Sequence, residues 1–284
     1  MQPTEHPIVF GAPHSAYYPA MPGQTNIAVS DDCVPIHFDL YEGGAPALIF
    51  VHGWCCDRHY WDAQVAAFSP RYTVVCLDLA GQGDSGRGRS RWSAGAFGED
   101  VAAVVRHLGL GQVVLVGHSM GGPVIVEAAR RIPDIVIGAI GADTWGLGRS
   151  QQAIAQFLAP FRADFPAAMD KFVRASFSDG PDPKLVERVV TGMSAASPEI
   201  AISAISEIGG NDRALRQGLC EVAIPKIAIN ATPRLSAAEA LDLGIDLIPM
   251  TGVGHFLMME DPQTFNRLLA QAVERCVQRR DGYP

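Results

Sequence analysis

Ser119 stands at a junction that leaves the backbone few choices. The apolar run Gln112-Val113-Val114-Leu115-Val116 leads into Gly117-His118-Ser119-Met120-Gly121-Gly122, and Pro123-Val124-Ile125-Val126-Glu127-Ala128-Ala129-Arg130 follows with helical patterning. The order predicts a buried strand, a sharp turn and a helix, the repeating unit of an α/β sheet. A side chain at either flanking glycine would collide in so tight a turn, which forces Ser119 into a strained conformation and turns its hydroxyl outward. The helix N-terminus below the turn favours negative charge.

A serine hydroxyl is a poor nucleophile at neutral pH, so a base must take its proton and a third group must orient that base. In the chain order serine, acid, histidine, the base lies C-terminal to the serine. Of eight histidines only His255 lies beyond Ser119, in Met250-Thr251-Gly252-Val253-Gly254-His255-Phe256. That loop follows the strand-like Asp246-Leu247-Ile248-Pro249-Met250 and precedes a helix opening at Asp261-Pro262, at the sheet edge where open α/β sheets keep their sites. Near the N-terminus, Ala47-Leu48-Ile49-Phe50-Val51 reads as a buried strand ending at His52-Gly53-Trp54. Gly53 lets the backbone bend there, and the amides of Trp54 and Met120 are expected to bind an oxyanion. His52 reads as a residue that braces the turn.

These three motifs, at these separations, resemble the α/β-hydrolase superfamily, specifically its compact esterase and lactonase branches, over the chain from about Asn26 to Val277. Asp78-Leu79-Ala80-Gly81-Gln82-Gly83-Asp84-Ser85-Gly86 resembles a further loop of that family, with Gln82 where a histidine is usual. The resemblance implies an α/β fold: a mostly parallel sheet flanked by helices, with an inserted helical cap. It also implies an acid after the penultimate strand, yet Ile224-Pro225-Lys226-Ile227-Ala228-Ile229-Asn230-Ala231 is followed by Thr232-Pro233-Arg234-Leu235. Some relatives, including haloalkane dehalogenases of one type and fungal mycoestrogen lactonases, carry the acid one strand earlier. Here that strand, Ile135-Val136-Ile137-Gly138-Ala139-Ile140-Gly141-Ala142, ends in Asp143. Asp143 is the expected orienting carboxylate, with Glu239, Asp242 and Asp246 as alternatives.

The 284 residues suffice for one α/β domain with an insertion: 1–143 and 220–284 as the core, 144–219 as the cap, with breaks at Pro160, Pro166, Gly180-Pro181-Asp182-Pro183 and Pro198. Trp145, Phe157, Phe161 and Met258 are the expected lining of an apolar pocket. The implied activity is hydrolysis of a carboxylic ester or lactone of a small apolar or aromatic substrate through an acyl-enzyme. Carbon–carbon bond hydrolysis of a diketone, or a slow-turnover ligand receptor, is the alternative, because the same residues serve each. No cofactor and no metal are implied. The six cysteines show no C-x-x-C spacing, and the net charge of −8 with no lysine-rich segment argues against nucleic acid. No apolar run reaches membrane-spanning length and the first residues lack a signal-peptide pattern, so a cytoplasmic monomer or homodimer is expected. Gly81-Gln82-Gly83-Asp84-Ser85-Gly86 is a literal G-x-G-x-x-G, but Arg87-Gly88-Arg89-Ser90-Arg91 continues as loop and helical patterning begins near Ala96, so no dinucleotide site is expected.

Overall fold

A computed structural model describes residues 23–147 and 150–280. Its strands are β1 (Gln24–Val29), β2 (Pro35–Tyr41), β3 (Gly44–Val51), β4 (Tyr72–Leu77), β5 (Val113–His118), β6 (Val136–Ala142), β7 (Lys226–Asn230) and β8 (Ile245–Pro249). They form one sheet in the order β1-β2-β4-β3-β5-β6-β7-β8. β2 runs antiparallel to both its neighbours, and every pairing from β4 across to β8 is parallel. The apolar runs of β5 and β6 are buried along their whole length. A parallel strand covered on both faces needs such a run, because neither side meets water.

The covering helices are α1 (Asp62–Phe68), α2 (Ala94–His107) and α3 (Gly121–Arg131) in the first half of the chain. Between β6 and β7 come α4 (Gln151–Ala163), α5 (Phe165–Ser176), α6 (Pro183–Ser194), α7 (Pro198–Ile208) and α8 (Asp212–Glu221). The chain closes with α9 (Ala237–Leu243), α10 (Leu257–Glu260) and α11 (Pro262–Arg280). Pro166, Pro183 and Pro198 each stand in the first turn of a helix, where no N–H is needed. Pro160 was expected to break the chain's helical run but lies inside α4. It stands exposed near the helix end, where water can satisfy the carbonyl it leaves unpaired.

The segment Arg87 to Arg91 is loop and α2 opens only at Ala94, capped by Ser93, so the G-x-G-x-x-G stretch has no helix opening within it. Instead, that stretch is tied through Asp78 and Asp84 to Arg58, in the segment after β3. Asp78 accepts from the amides of Arg58 and Asp84, at 2.7 and 2.9 Å, and pairs with the Arg58 guanidinium, which also reaches Asp39 and Asp84. All six cysteines are free thiols. Among the described residues, no single helix is long and apolar enough to cross a membrane.

Candidate active site

Three turns at the C-terminal ends of β5, β6 and β8 bring the chemistry together. Ser119 follows β5 with φ of 51°, in the left-handed region that a non-glycine residue occupies only under constraint. The constraint is visible at its neighbours. A Cβ on Gly117 would lie 2.5 Å from the Gly121 carbonyl oxygen, and one on Gly121 would lie 2.6 Å from that of Val51. Asp143, directly after β6, has φ of 47°, and its amide donates to Ile229 O of β7 at 2.9 Å. The His255 loop is held from the other side: the His255 amide donates to Ser176 O at 2.6 Å, and Glu260 accepts from the amides of Gly254 and Ser178 at 3.0 Å.

His255 Nε2 lies 2.9 Å from Ser119 Oγ, and His255 Nδ1 lies 2.6 Å from Asp143 Oδ2. With the Nδ1 proton donated to Asp143, Nε2 is left to accept from the serine hydroxyl. The Asp143 side chain is 1% exposed. Burial alone would raise its pKa, but hydrogen bonds from His255 and Arg234, and the charge of both, outweigh that and hold it at about 2. The Ala231 amide donates to Asp143 Oδ1 at 3.1 Å. The alternative acids lie elsewhere. Glu239 caps α9 through Ser236, Asp242 pairs with Arg216 at 2.6 Å, and Asp246 pairs with Arg279 at 2.9 Å.

Trp54 follows β3 and its ring is buried, with the indole N–H donated to Ala201 O in α7 at 2.9 Å. The backbone amides of Trp54 and Met120 donate to no backbone carbonyl among the described residues, which leaves both for a ligand. His52 braces the turn as expected: its Nε2 accepts from the Leu79 amide at 3.0 Å and Nδ1 lies 2.8 Å from Gly53 O. His118 is buried beneath His255, with Nε2 2.9 Å from the His255 carbonyl oxygen. Burial, reinforced by the neighbouring His255, pushes the His118 pKa down to about 3, so its ring is neutral.

A cavity of about 650 Å³ opens above Ser119, lined on its apolar side by Trp54, Ile154, Phe157, Phe172, Phe177 and Met193. A narrower cleft of about 120 Å³ adjoins the other side of Ser119, where Met120, Thr144 and Trp145 face it. Larger clefts of about 880 and 720 Å³ lie elsewhere and contain none of Ser119, Asp143 or His255. Of the expected pocket residues, Phe157 lines the large cavity. Trp145, with φ of 61°, lines the narrow cleft instead, and its ring packs over Gly141 of β6, with Cε3 3.1 Å from where a Gly141 Cβ would be. Phe161 and Met258 line neither space. Phe161 packs edge-on against Trp54 at 5.1 Å, a layer behind the wall, and Met258 is fully buried with its carbonyl accepting from Gln64 at 3.1 Å. Ile154, Phe172, Phe177, Met193 and Arg234 are among the lining residues that the sequence did not assign to the pocket. The helical residues among them carry no pattern that tells the downward face of a two-sided helix from the other, and Phe177 lies just past the end of α5, whereas Arg234 was signalled by a cation standing in a loop expected to hold an acid.

The comparisons agree with this architecture. The chain is 25% identical over 248 residues to the AB hydrolase superfamily protein YisY of Bacillus subtilis, covering 81% of this chain and 92% of that protein. It is 28% identical over 244 residues to 3-oxoadipate enol-lactonase 2 of Acinetobacter baylyi, covering 81% and 89%. A solved thermophilic esterase from Thermogutta terrifontis superimposes with a TM-score of 0.76 at 21% identity, covering 89% of this chain and 99% of that one. Residues 48–268, from the middle of β3 into α11, match the model of the alpha/beta hydrolase family, and with its sheet order and strand-end loops in agreement the chain belongs to that family.

Proposed function

We propose that this protein is a serine hydrolase that cleaves a carboxylic ester or lactone through an acyl-enzyme. The observation that carries the reading is the continuous line Ser119 Oγ, His255 Nε2, His255 Nδ1, Asp143 Oδ2, with spacings of 2.9 and 2.6 Å. Ser119 Oγ attacks the carbonyl carbon as its proton passes to His255 Nε2, and Asp143 stabilises the imidazolium that forms. The amides of Trp54 and Met120 receive the charge that develops on the carbonyl oxygen, each contributing on the order of 3 kcal/mol in the transition state. The carbon–oxygen bond then breaks, His255 returns its proton to the leaving alcohol, and water repeats the sequence on the acylated Ser119.

Residues 144–219 act in this reading as a cap over the C-terminal edge of the sheet. Their aromatic side chains supply the apolar wall that excludes water, and Trp54 joins the oxyanion turn to that wall through Ala201 and through rings of Phe157, Phe161, Phe165 and Phe172. The enol-lactonase relative, matched along most of both chains, favours an ester or lactone over other bonds. Stopped-flow mixing with short and medium p-nitrophenyl esters tests the proposal. The expected result is a burst of p-nitrophenol followed by sustained turnover, both abolished in Ser119→Ala; turnover surviving in that variant would overturn it.

A further inference from the structure

Arg234 is a cation that a serine–histidine–aspartate line does not need. Its Nε lies 3.3 Å from Asp143 Oδ1 and its Nη2 bonds Asp143 Oδ2, so one edge of the guanidinium is laid along the carboxylate. Nη2 also approaches His255 Nδ1 to 3.4 Å, and since both carry protons, two donors converge on one acid. A positive charge there opposes the imidazolium that must form on His255 and takes up part of the field Asp143 would otherwise give it. On an uncharged substrate this arrangement hinders the chemistry.

The rest of the guanidinium points to what offsets that hindrance. A guanidinium has five N–H donors on two usable edges. Nη1 has no acceptor among the described residues, the side chain is 27% exposed, and Arg234 lines both the 650 Å³ cavity and the narrow cleft beside Ser119. Among the described residues that line the large cavity, Arg234 is the one arginine or lysine and Asp143 the one carboxylate, already occupied by His255, Arg234 and the Ala231 amide.

We infer that the free edge of Arg234 binds a carboxylate of the substrate, so that the ester or lactone taken by this site is an anion with an apolar or aromatic body. The body lies against Phe157, Phe172 and Phe177, and the carboxylate reaches past it to Arg234. Binding compensates the Arg234 charge and returns the field of Asp143 to His255, so recognition acts on kcat as well as on KM. The inference rests on the serine-hydrolase reading above.

Two matched ester pairs test it: p-acetoxybenzoate against p-acetoxybenzamide, with the carboxylate on the alcohol side, and mono-p-nitrophenyl adipate against p-nitrophenyl hexanoate, with it on the acyl side. The wild-type protein is expected to prefer the anion in at least one pair by about 10- to 100-fold in kcat/KM, the range of a charge-assisted bidentate contact. Arg234→Gln should remove most of that preference, and Arg234→Lys, which keeps charge but not the two-edged fork, should fall between. Hydrolysis of the neutral esters through Ser119 with no preference in either pair, or a preference unchanged in Arg234→Gln, overturns the inference alone. No cleavage of any of the four esters, with Ser119 unlabelled by a fluorophosphonate, overturns the hydrolase reading and the inference with it. Should Arg234→Gln not fold, inhibition of wild-type hexanoate turnover by benzoate and by benzamide decides. Benzoate binding at least about tenfold tighter supports the carboxylate site, and equal binding overturns it.

Discussion

Asp143 divides its two carboxylate oxygens between a histidine, an arginine and a backbone amide. The hydrogen bonds and charges of His255 and Arg234 lower the Asp143 pKa against the opposing effect of burial, and the Ala231 amide takes up Oδ1. Replacing the acid by its amide keeps the shape and removes the charge, so Asp143→Asn is expected to fold normally and lose about 10⁴-fold in kcat, the size of effect seen when an orienting acid is removed from such a line. Steady-state ester kinetics beside circular dichroism checks both halves, and Glu239→Gln, Asp242→Asn and Asp246→Asn should change kcat little. Ser119 and His255 were legible because a glycine-flanked turn and a single downstream histidine leave few alternatives. The Asp143–Arg234 pair was not legible, because the two are 91 residues apart and no local pattern encodes their meeting.

The strands and their closing turns carry most of the precision. β3, β5 and β6 were readable as apolar runs because both of their faces are covered. The antiparallel β1 and β2 were not, since β1 is partly exposed and lacks such a run. The flanking glycines signal the strain at Ser119, but no run reveals that Cys55, Asp143 and Trp145 also have positive φ, or that Trp145 lies at the narrow cleft rather than the large cavity. Tight packing at the Ser119 turn makes a specific prediction. Gly117→Ala would place a Cβ 2.5 Å from a backbone carbonyl oxygen that cannot step aside, so it should destabilise by about 2–4 kcal/mol and abolish turnover. Gly88→Ala, whose Cβ would meet nothing within 4 Å, should stay within about 0.5 kcal/mol in the same urea titration.

Across the whole molecule, the sheet fixes where the three turns converge, and the helices between β6 and β7 bring Ile154, Phe157, Phe172 and Met193 to the cavity above them. The existence of that helical segment was legible from its proline-punctuated length, but which aromatic rings face the cavity was not, because helices packed on two sides show no single apolar face. Acid stability is the global property that the site sets most directly. His118 is neutral when folded, with its pKa down at about 3, whereas the unfolded ring titrates near its ordinary 6.5. Unfolding therefore takes up a proton below the higher value, and this contribution is complete above about pH 6.5 and is lost as pH falls toward 3, at roughly 1.4 kcal/mol per pH unit. Asp143 adds a loss of the same sign at lower pH, between its ordinary 3.8 and about 2. Urea unfolding from pH 7 to pH 4 should show stability falling with pH, less steeply in His118→Gln; an equal slope in the variant would contradict the assignment.

An acyl-enzyme on Ser119 can be trapped by rapid acid quench of a p-nitrophenyl ester reaction and weighed by intact-protein mass spectrometry. A mass gain of one acyl group is expected, located in the peptide carrying Gly117-His118-Ser119-Met120-Gly121 and missing from Ser119→Ala. An adduct on another residue, or sustained hydrolysis that proceeds equally well in Ser119→Ala, would contradict it.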